Sequence, residues 1–317
     1  MNILIAGGAG FIGSHLAESL LKENHTVICV DNLLTGTKKN IEHLEASRNF
    51  RFINHNVVQP LELSDKIDAL FHLASPASPN HHSRLSYHAL PMETMLVNTT
   101  GTLELLKLAN KHKASFLFAS TSEVYGDPEK HPQPETYRGN VSTTGPRSVY
   151  DEAKRFGETL VSYYNRNYKT RTRTARIFNT FGPRMLKDDM RMIVIFINQA
   201  IAGLPITVYG DGTQTRSLCY VDDTVDGLKA FMFSNLDGEI INIGSPVEHS
   251  VLEYAQYVLQ ATGSKSKITL SEKLPEDDPL RRRPDISKAK KLLGWEPKIS
   301  FEEGLKKMIS YVSENKI

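Results

Sequence analysis

Only two of the 317 residues are cysteine, Cys29 and Cys219, and only one is tryptophan. Two thiols cannot build a disulfide framework and are too few for a metal site made mainly of thiolates, so they fit a reducing compartment. No run of about 18 apolar residues occurs. The longest candidates, such as Ile193-Val194-Ile195-Phe196-Ile197, suit a buried element. Neither sign of charge is in real excess: 38 Lys and Arg stand against 36 Asp and Glu, leaving +2. That balance excludes the electrostatic footprint of a dedicated nucleic-acid binder. The opening residues, Met1-Asn2-Ile3-Leu4-Ile5, lack the basic region and long apolar core of a secretion signal. Internal repeats and low-complexity stretches are missing too. These absences lead us to expect a globular, cytoplasmic protein without a membrane or nucleic-acid partner.

Hydrophobic residues at 40% and charged residues at 23% are ordinary for a globular chain. At about 150 residues per domain the length suggests two domains or one large α/β domain. Apolar runs at 3–6, 25–30, 50–53, 69–73, 116–119 and 174–178 read as strands, several separated by helical stretches such as 14–23. Such alternation predicts an α/β fold, a doubly wound parallel sheet with helices on both faces. Beyond residue 180 the pattern changes, punctuated by Pro183, Pro205, Pro246, Pro275, Pro279, Pro284 and Pro297. We therefore expect a first domain over 1–180, a return to it around 215–235 through a helix at 221–233, and a smaller α/β substrate-binding lobe over 181–317.

Gly7, Gly10 and Gly13 form G-x-x-G-x-x-G between the first strand and the first helix. The first permits the tight turn, the second lets backbone approach a pyrophosphate, and the third allows close helix–strand packing at a positive helix N-terminus. Asp31 closes the next strand, where a carboxylate accepts from both ribose hydroxyls and repels a 2′-phosphate. The reading is a Rossmann domain for NAD rather than NADP; the bland alternative for Asp31 is an acidic residue that ends a strand by chance.

Thr121-Ser122-Glu123 follows a strand, and Tyr150 and Lys154 stand four apart on one helical face. An ammonium beside the phenol, near a nicotinamide's positive charge, is expected to lower the tyrosine from its usual pKa of about 10. Such a phenol takes a proton from a sugar hydroxyl while hydride leaves the same carbon. Alone, the pair reads first as a surface helix pair; downstream of a dinucleotide turn, with a hydroxyl residue on the preceding strand end, it points to redox chemistry.

These motifs resemble the extended short-chain dehydrogenase/reductase superfamily that modifies nucleotide sugars, and several stretches are similar to its UDP-glucuronate decarboxylase (UDP-xylose synthase) branch. They are His72-Leu73-Ala74-Ser75-Pro76-Ala77-Ser78-Pro79, Ser120-Thr121-Ser122-Glu123-Val124-Tyr125-Gly126-Asp127-Pro128 and Ala175-Arg176-Ile177-Phe178-Asn179-Thr180-Phe181-Gly182-Pro183-Arg184-Met185. Val208-Tyr209-Gly210-Asp211-Gly212-Thr213-Gln214-Thr215-Arg216 follows, then Asp277-Asp278-Pro279, Arg282-Arg283-Pro284-Asp285-Ile286 and Leu293-Gly294-Trp295-Glu296-Pro297.

The resemblance implies roles. Thr121, Tyr150 and Lys154 would handle oxidation at sugar C4, Glu123 would face C5 and C6, and Arg282 would sit near the sugar carboxylate. NAD would be held by Gly7, Gly10, Phe11, Ile12, Gly13, Asp31, Asn32, Thr35, Gly36, Asn56, Val57, Leu73, Ala74, Ser75, Asn98, Ala119, Tyr150 and Lys154. Pro76, Thr121, Asn179, Arg184, Tyr209, Gln214, Arg216 and Arg282 would contact the UDP-sugar; bidentate guanidiniums suit phosphate and carboxylate oxygens. Without the resemblance, Arg281-Arg282-Arg283 reads as a solvated basic stretch. Helices over 91–112 and 148–167 resemble the family's dimer faces and imply a homodimer.

Ser122 stands where the family's 4,6-dehydratases carry the Asp that helps expel water, while Glu123 keeps a carboxylate. That fits a substrate whose C6 is already a carboxylate leaving as carbon dioxide: a ketone at C4 is β to it, and no metal is needed. Other departures are Asn56 for Asp, Leu96-Val97 for Lys-Thr, Ile195 for Asn and Ala153 for Gly. The lost cation and amide leave an N-acetylated uronic acid open as substrate. A UDP-uronate 4-epimerase and a nucleotide-sugar-binding protein without turnover are the alternatives. His81, His82 and His88 lack partners with ligand spacing and read as a loop, not a metal site. Cys29 reads as a core thiol, and Trp295 as a cap on the smaller lobe.

Overall fold

The computed structural model describes residues 1–270, 273–274 and 278–315; Pro275 and Asp277, singled out above, lie outside the described residues. In chain order its elements are β1 (Asn2–Ala6), α1 (Phe11–Lys22), β2 (Thr26–Asp31), β3 (Phe50–Asn54), β4 (Ala69–His72), α2 (Pro91–Leu96), α3 (Thr102–His112), β5 (Ser115–Thr121), α4 (Ser148–Tyr168) and β6 (Thr172–Ile177). Then come β7 (Thr180–Phe181), α5 (Met192–Ile201), β8 (Ile206–Val208), β9 (Thr215–Arg216), β10 (Cys219–Tyr220), α6 (Val221–Met232) and β11 (Ile240–Ile243). The chain ends with β12 (His249–Ser250), α7 (Val251–Thr262), β13 (Ile268–Leu270), β14 (Arg281–Arg282), α8 (Ser287–Leu293) and α9 (Phe301–Asn315).

Seven strands form one parallel sheet in the order β11-β6-β5-β4-β1-β2-β3. Its inner strands are buried on both faces, whereas the edge strand β3 is partly exposed, and side chains alternate between two cores as the pleat dictates. Ile3, Ile5, Val27 and Cys29 join Leu16, Ala17 and Leu20 of α1. Leu4, Ala6, Ile28 and Val30 join Leu105, Leu106 and Ala109 of α3 and Val161 of α4 on the other face. This is the doubly wound α/β fold expected from the sequence. The strand order reverses between β1 and β4, so a crevice opens beyond their carboxyl ends.

The return of the chain is fuller than the periodicity suggests. α6 packs on α1 and β6, and β11, which no apolar run announced, adds a seventh strand beside β6. The remaining short strands pair among themselves, β8 with β13 and β9 with β12 and β14, beside α5 and α7. Trp295 corrects the expectation set for it: its Nε1 donates to the Asp223 carbonyl at 3.1 Å, and its ring lies against Gly227 of α6. It therefore caps a helix of the large sheet rather than the small lobe. Among the described residues no helix is long and apolar enough to cross a membrane.

Candidate active site

The glycine turn leaves β1 at Gly7, whose φ of +82° suits only a residue without a side chain. A Cβ at Gly7 would lie 2.6 Å from the Ala74 nitrogen, and one at Gly13 would meet the Gly7 backbone. The turn therefore holds α1's N-terminus against β1 and β4, with backbone free to approach a pyrophosphate. Asp31 is buried, which raises its pKa, yet its carboxylate accepts from Ala9 N–H at 3.0 Å and Leu33 N–H at 2.8 Å. Asn32 and Asn56 are spent on local turns, accepting from Leu34 and Val58 N–H at 3.1 Å each. Asn98 donates to Ser75 Oγ at 2.8 Å, from a wide turn between α2 and α3, and its Oδ1 is buried without a partner among the described residues. A cradle that side chains would fill, an orphaned amide oxygen and a fixed carboxylate fit an NAD molecule.

The glycine turn opens into a cavity lined also by Thr35, Leu73, Ser75, Ala119, Thr121, Glu123, Tyr150, Lys154, Asn179, Arg184, Tyr209, Gln214 and Arg216. Asp31, Asn32, Gly36, Asn56, Val57, Ala74, Pro76, Asn98 and Arg282 lie off its wall. Two departures from the family pattern separate here: Ile195 lines the cavity, whereas Leu96 is exposed on α2.

α4 brings the tyrosine and lysine to the end of β5. Its buried stripe of Tyr150, Ala153, Lys154, Gly157, Val161 and Tyr164 keeps helical spacing. A Cβ at Gly157 would fall 2.5 Å from the Phe118 ring, so glycine lets the helix close on the strand. Lys154 Nζ then donates to the Ala119 carbonyl at 2.7 Å and stands 5.7 Å from the Tyr150 ring centroid. The Tyr150 phenol is hydrogen-bonded to Thr121. The lowering expected of the phenol depends on a nicotinamide's positive charge as well as on Lys154, and the chain's own groups act the other way. Burial pushes Tyr150 up, the nearby Glu123 charge adds to that, and burial pulls Lys154 down to about 7. Desolvation is the largest influence on both groups.

Glu123 sits in a tight turn after β5 (Thr121 Oγ1 accepts its N–H at 3.2 Å). Its carboxylate is ion-paired to both Arg147 and Arg282, and the two guanidiniums overcome burial to hold it at about 2. Arg147 also reaches Asp278 at 3.2 Å, and Asp278 reaches Arg216 at 2.7 Å. Asp151 lies within this field, its carboxyl pushed up to about 8, chiefly by burial. Of these, Arg147, Asp278 and Asp151 were given no role from sequence. Asp278 lies inside a quoted stretch, Asp151 follows Tyr150 and Arg147 stands three residues before Tyr150, but only the fold brings them together.

On the far wall, Gln214 Nε2 donates to the Tyr209 carbonyl at 2.9 Å while its Oε1 has no partner among the described residues. Arg184 is set apart from the other arginines. It pairs with Glu18 of α1 and lies 3.2 Å from His43 Nε2, with one guanidinium nitrogen unpartnered. Among the described residues no group of three metal-ligating side chains occurs.

A parallel sheet with a glycine turn at its switch point and a Tyr/Lys helix beside it defines a dinucleotide-binding fold of the short-chain dehydrogenase/reductase kind. The GDP-mannose 4,6 dehydratase family profile matches residues 4–308. The chain is 51% identical to UDP-glucuronic acid decarboxylase 1 of Xenopus tropicalis, over 98% of this chain and 71% of the relative. It is 49% identical to UDP-glucuronic acid decarboxylase 3 of Arabidopsis thaliana, over 96% and 87%. The UDP-glucuronic acid 4-epimerase of Bacillus cereus, solved with UDP-glucuronic acid and NAD, superposes with a TM-score of 0.86 at 30% identity, covering 99% and 100%. The chain belongs to the extended short-chain dehydrogenase/reductase family that includes the UDP-glucuronic acid decarboxylases.

Proposed function

We propose that this chain is an NAD-dependent decarboxylase that converts UDP-glucuronate to UDP-xylose through a 4-keto intermediate. The observation that carries the reading is the Glu123 carboxylate held between Arg147 and Arg282 beside Tyr150, with serine before it, in a chain about half identical to UDP-glucuronic acid decarboxylases. We assign residues 1–180, with the return around 215–235, to NAD and residues 181–317 mainly to the UDP-sugar. When bound, the nicotinamide accepts a hydride from C4 and later returns it.

The chain's own residues do the rest. The Tyr150 oxygen, as the phenolate that Lys154 and the positive charge of a bound nicotinamide would favour, takes the C4 hydroxyl proton as the ketone forms, with Thr121 beside it. The ketone is β to C6, so the C5–C6 bond breaks, carbon dioxide leaves and the electron pair enters an enolate. A proton from solvent then joins C5, and Tyr150 returns its proton to the C4 oxygen as the ketone is reduced. Glu123, ionised at neutral pH, orients the two arginines and accepts sugar hydroxyls; it has no proton to give. Arg282 directs the sugar carboxylate, while Asn179, Arg184, Tyr209, Gln214 and Arg216 serve the nucleotide and diphosphate.

Product mass tests the reading. UDP-glucuronate should come out lighter by one carbon dioxide. An unchanged mass with inverted C4 would favour the epimerase reading, which the Bacillus cereus likeness supports at 30% identity. We also propose a cytoplasmic homodimer. Met92 and Leu96 of α2 and Phe156, Tyr163 and Tyr168 of α4 are exposed, an apolar face suited to a second copy. Light scattering that finds a stable monomer would refute the dimer.

A further inference from the structure

Tyr87 is buried at 0% exposure in the loop between β4 and α2. Its ring lies parallel to that of Tyr150, with centroids 4.9 Å apart and planes 9° apart. The Arg147 guanidinium carbon stands over the same ring, 5.9 Å from its centroid. Tyr87 thus touches the phenol at C4 and one of the two cations that hold Glu123, while itself staying off the cavity wall. Its hydroxyl has no hydrogen-bond partner among the described residues. The loop that carries it is fastened to the opposite wall of the cavity. The hydroxyls of Ser78 and Ser83 donate to the Asp189 and Asp188 carbonyls at 2.5 Å each. Asn80 Nδ2 donates to the Met190 carbonyl at 2.8 Å, and Tyr87 N–H to the Ser78 carbonyl at 3.2 Å.

A tyrosine's ring torsion is broad and not fixed by rotamer preference, yet proton transfer tolerates only about 10–20° of misorientation. A flat neighbour at van der Waals distance restrains that torsion, and a stacked pair adds attraction of its own. We infer that Tyr87 is a positioning residue whose ring, not its hydroxyl, sets the plane of Tyr150 and the place of Arg147. The seating of the 78–90 loop across the cavity is thereby tied to proton transfer at C4. The inference rests on the catalytic place given to Tyr150 above.

The test compares Tyr87→Phe with Tyr87→Leu in the full chain supplied with NAD and UDP-glucuronate, reading kcat, KM, NAD affinity and melting temperature. Phenylalanine keeps the flat face and should retain kcat within about twofold. Leucine should lower kcat by about 10- to 100-fold, with KM and NAD affinity within about threefold. If the leucine variant does not fold, Tyr87→Met, which fills volume without a flat face, carries the same expectation. Equal kcat for the aliphatic and phenylalanine variants would overturn the inference. So would an equal fall in both, which would assign the effect to the hydroxyl, or a loss confined to KM. A wild-type chain inert toward UDP-glucuronate would overturn the proposed function instead, and that result is separable from these.

Discussion

Replacing Arg147 by methionine removes one of the two guanidiniums that hold Glu123 and keeps most of the buried volume. In the intact protein those cations draw the carboxyl from 4.5 to about 2, against a burial effect of opposite sign. At about 1.36 kcal/mol per pKa unit, that shift corresponds to roughly 3 kcal/mol of folding stability. Measured costs of breaking a buried ion pair, about 3–5 kcal/mol, are of the same size. The sign follows from linkage. The folded pKa is the lower one, so the contribution is present above about pH 4.5 and lost as pH falls toward 2. Thermal denaturation should therefore show the variant melting about 5–10 °C lower at pH 7, with the gap narrowing in acid. Adding Glu123→Gln would leave Arg282 buried without its carboxylate and should lower the melting temperature further. A change under about 2 °C at pH 7, a gap that ignores acid, or a double variant more stable than the single would refute the reasoning.

Three further outcomes follow from the same site. Tyr150→Phe should lower turnover by at least about 10²-fold while sparing NAD affinity; unaltered turnover would remove the phenol from the mechanism. Lys154→Met should end turnover yet raise the melting temperature at pH 6, because burial holds the lysine's folded pKa at about 7. Between about pH 7 and 10 the unfolded chain keeps a proton that the folded lysine has released, so wild-type stability climbs with pH there and the variant's should not. Asp31→Asn should weaken NAD by about tenfold and narrow the preference over NADP, since one amide cannot both accept from two backbone N–H groups and repel a phosphate. Dissociation constants for the two dinucleotides check this, and an unmoved ratio counts against it.

The parts of the fold legible in sequence are those written in local pattern. Apolar runs such as Phe116 to Ala119 announce a central strand, and Gly7, Gly10 and Gly13 announce the turn because each must lack a side chain for a geometric reason. β11 was missed because Ile240-Ile241-Asn242-Ile243 is short and Asn242 interrupts its apolar run; its partner β6 supplies what the pattern does not. Within the site, Tyr150 and Lys154 were visible through helical spacing. Arg147 was not. It follows Gly145-Pro146 like any turn residue, and its partners Glu123 and Asp278 are 24 and 131 residues away. Tyr87 was hidden for a related reason, as one aromatic in a histidine- and serine-rich loop whose meaning comes from a ring across the chain. The burial of Tyr150 and Lys154 was not legible, because spacing gives proximity but not burial, and burial is the largest influence the chain itself exerts on both groups.

The central claim is a redox-neutral decarboxylation in which one solvent proton enters the sugar at C5. Turnover of UDP-glucuronate in heavy water, with products identified by mass and NMR, tests it most directly. The expected product is a UDP-pentose that has lost carbon dioxide and carries one deuterium at C5 and none at C4, with no net consumption of NAD. A product that retains its carboxyl carbon, or one that carries deuterium at C4, would contradict it.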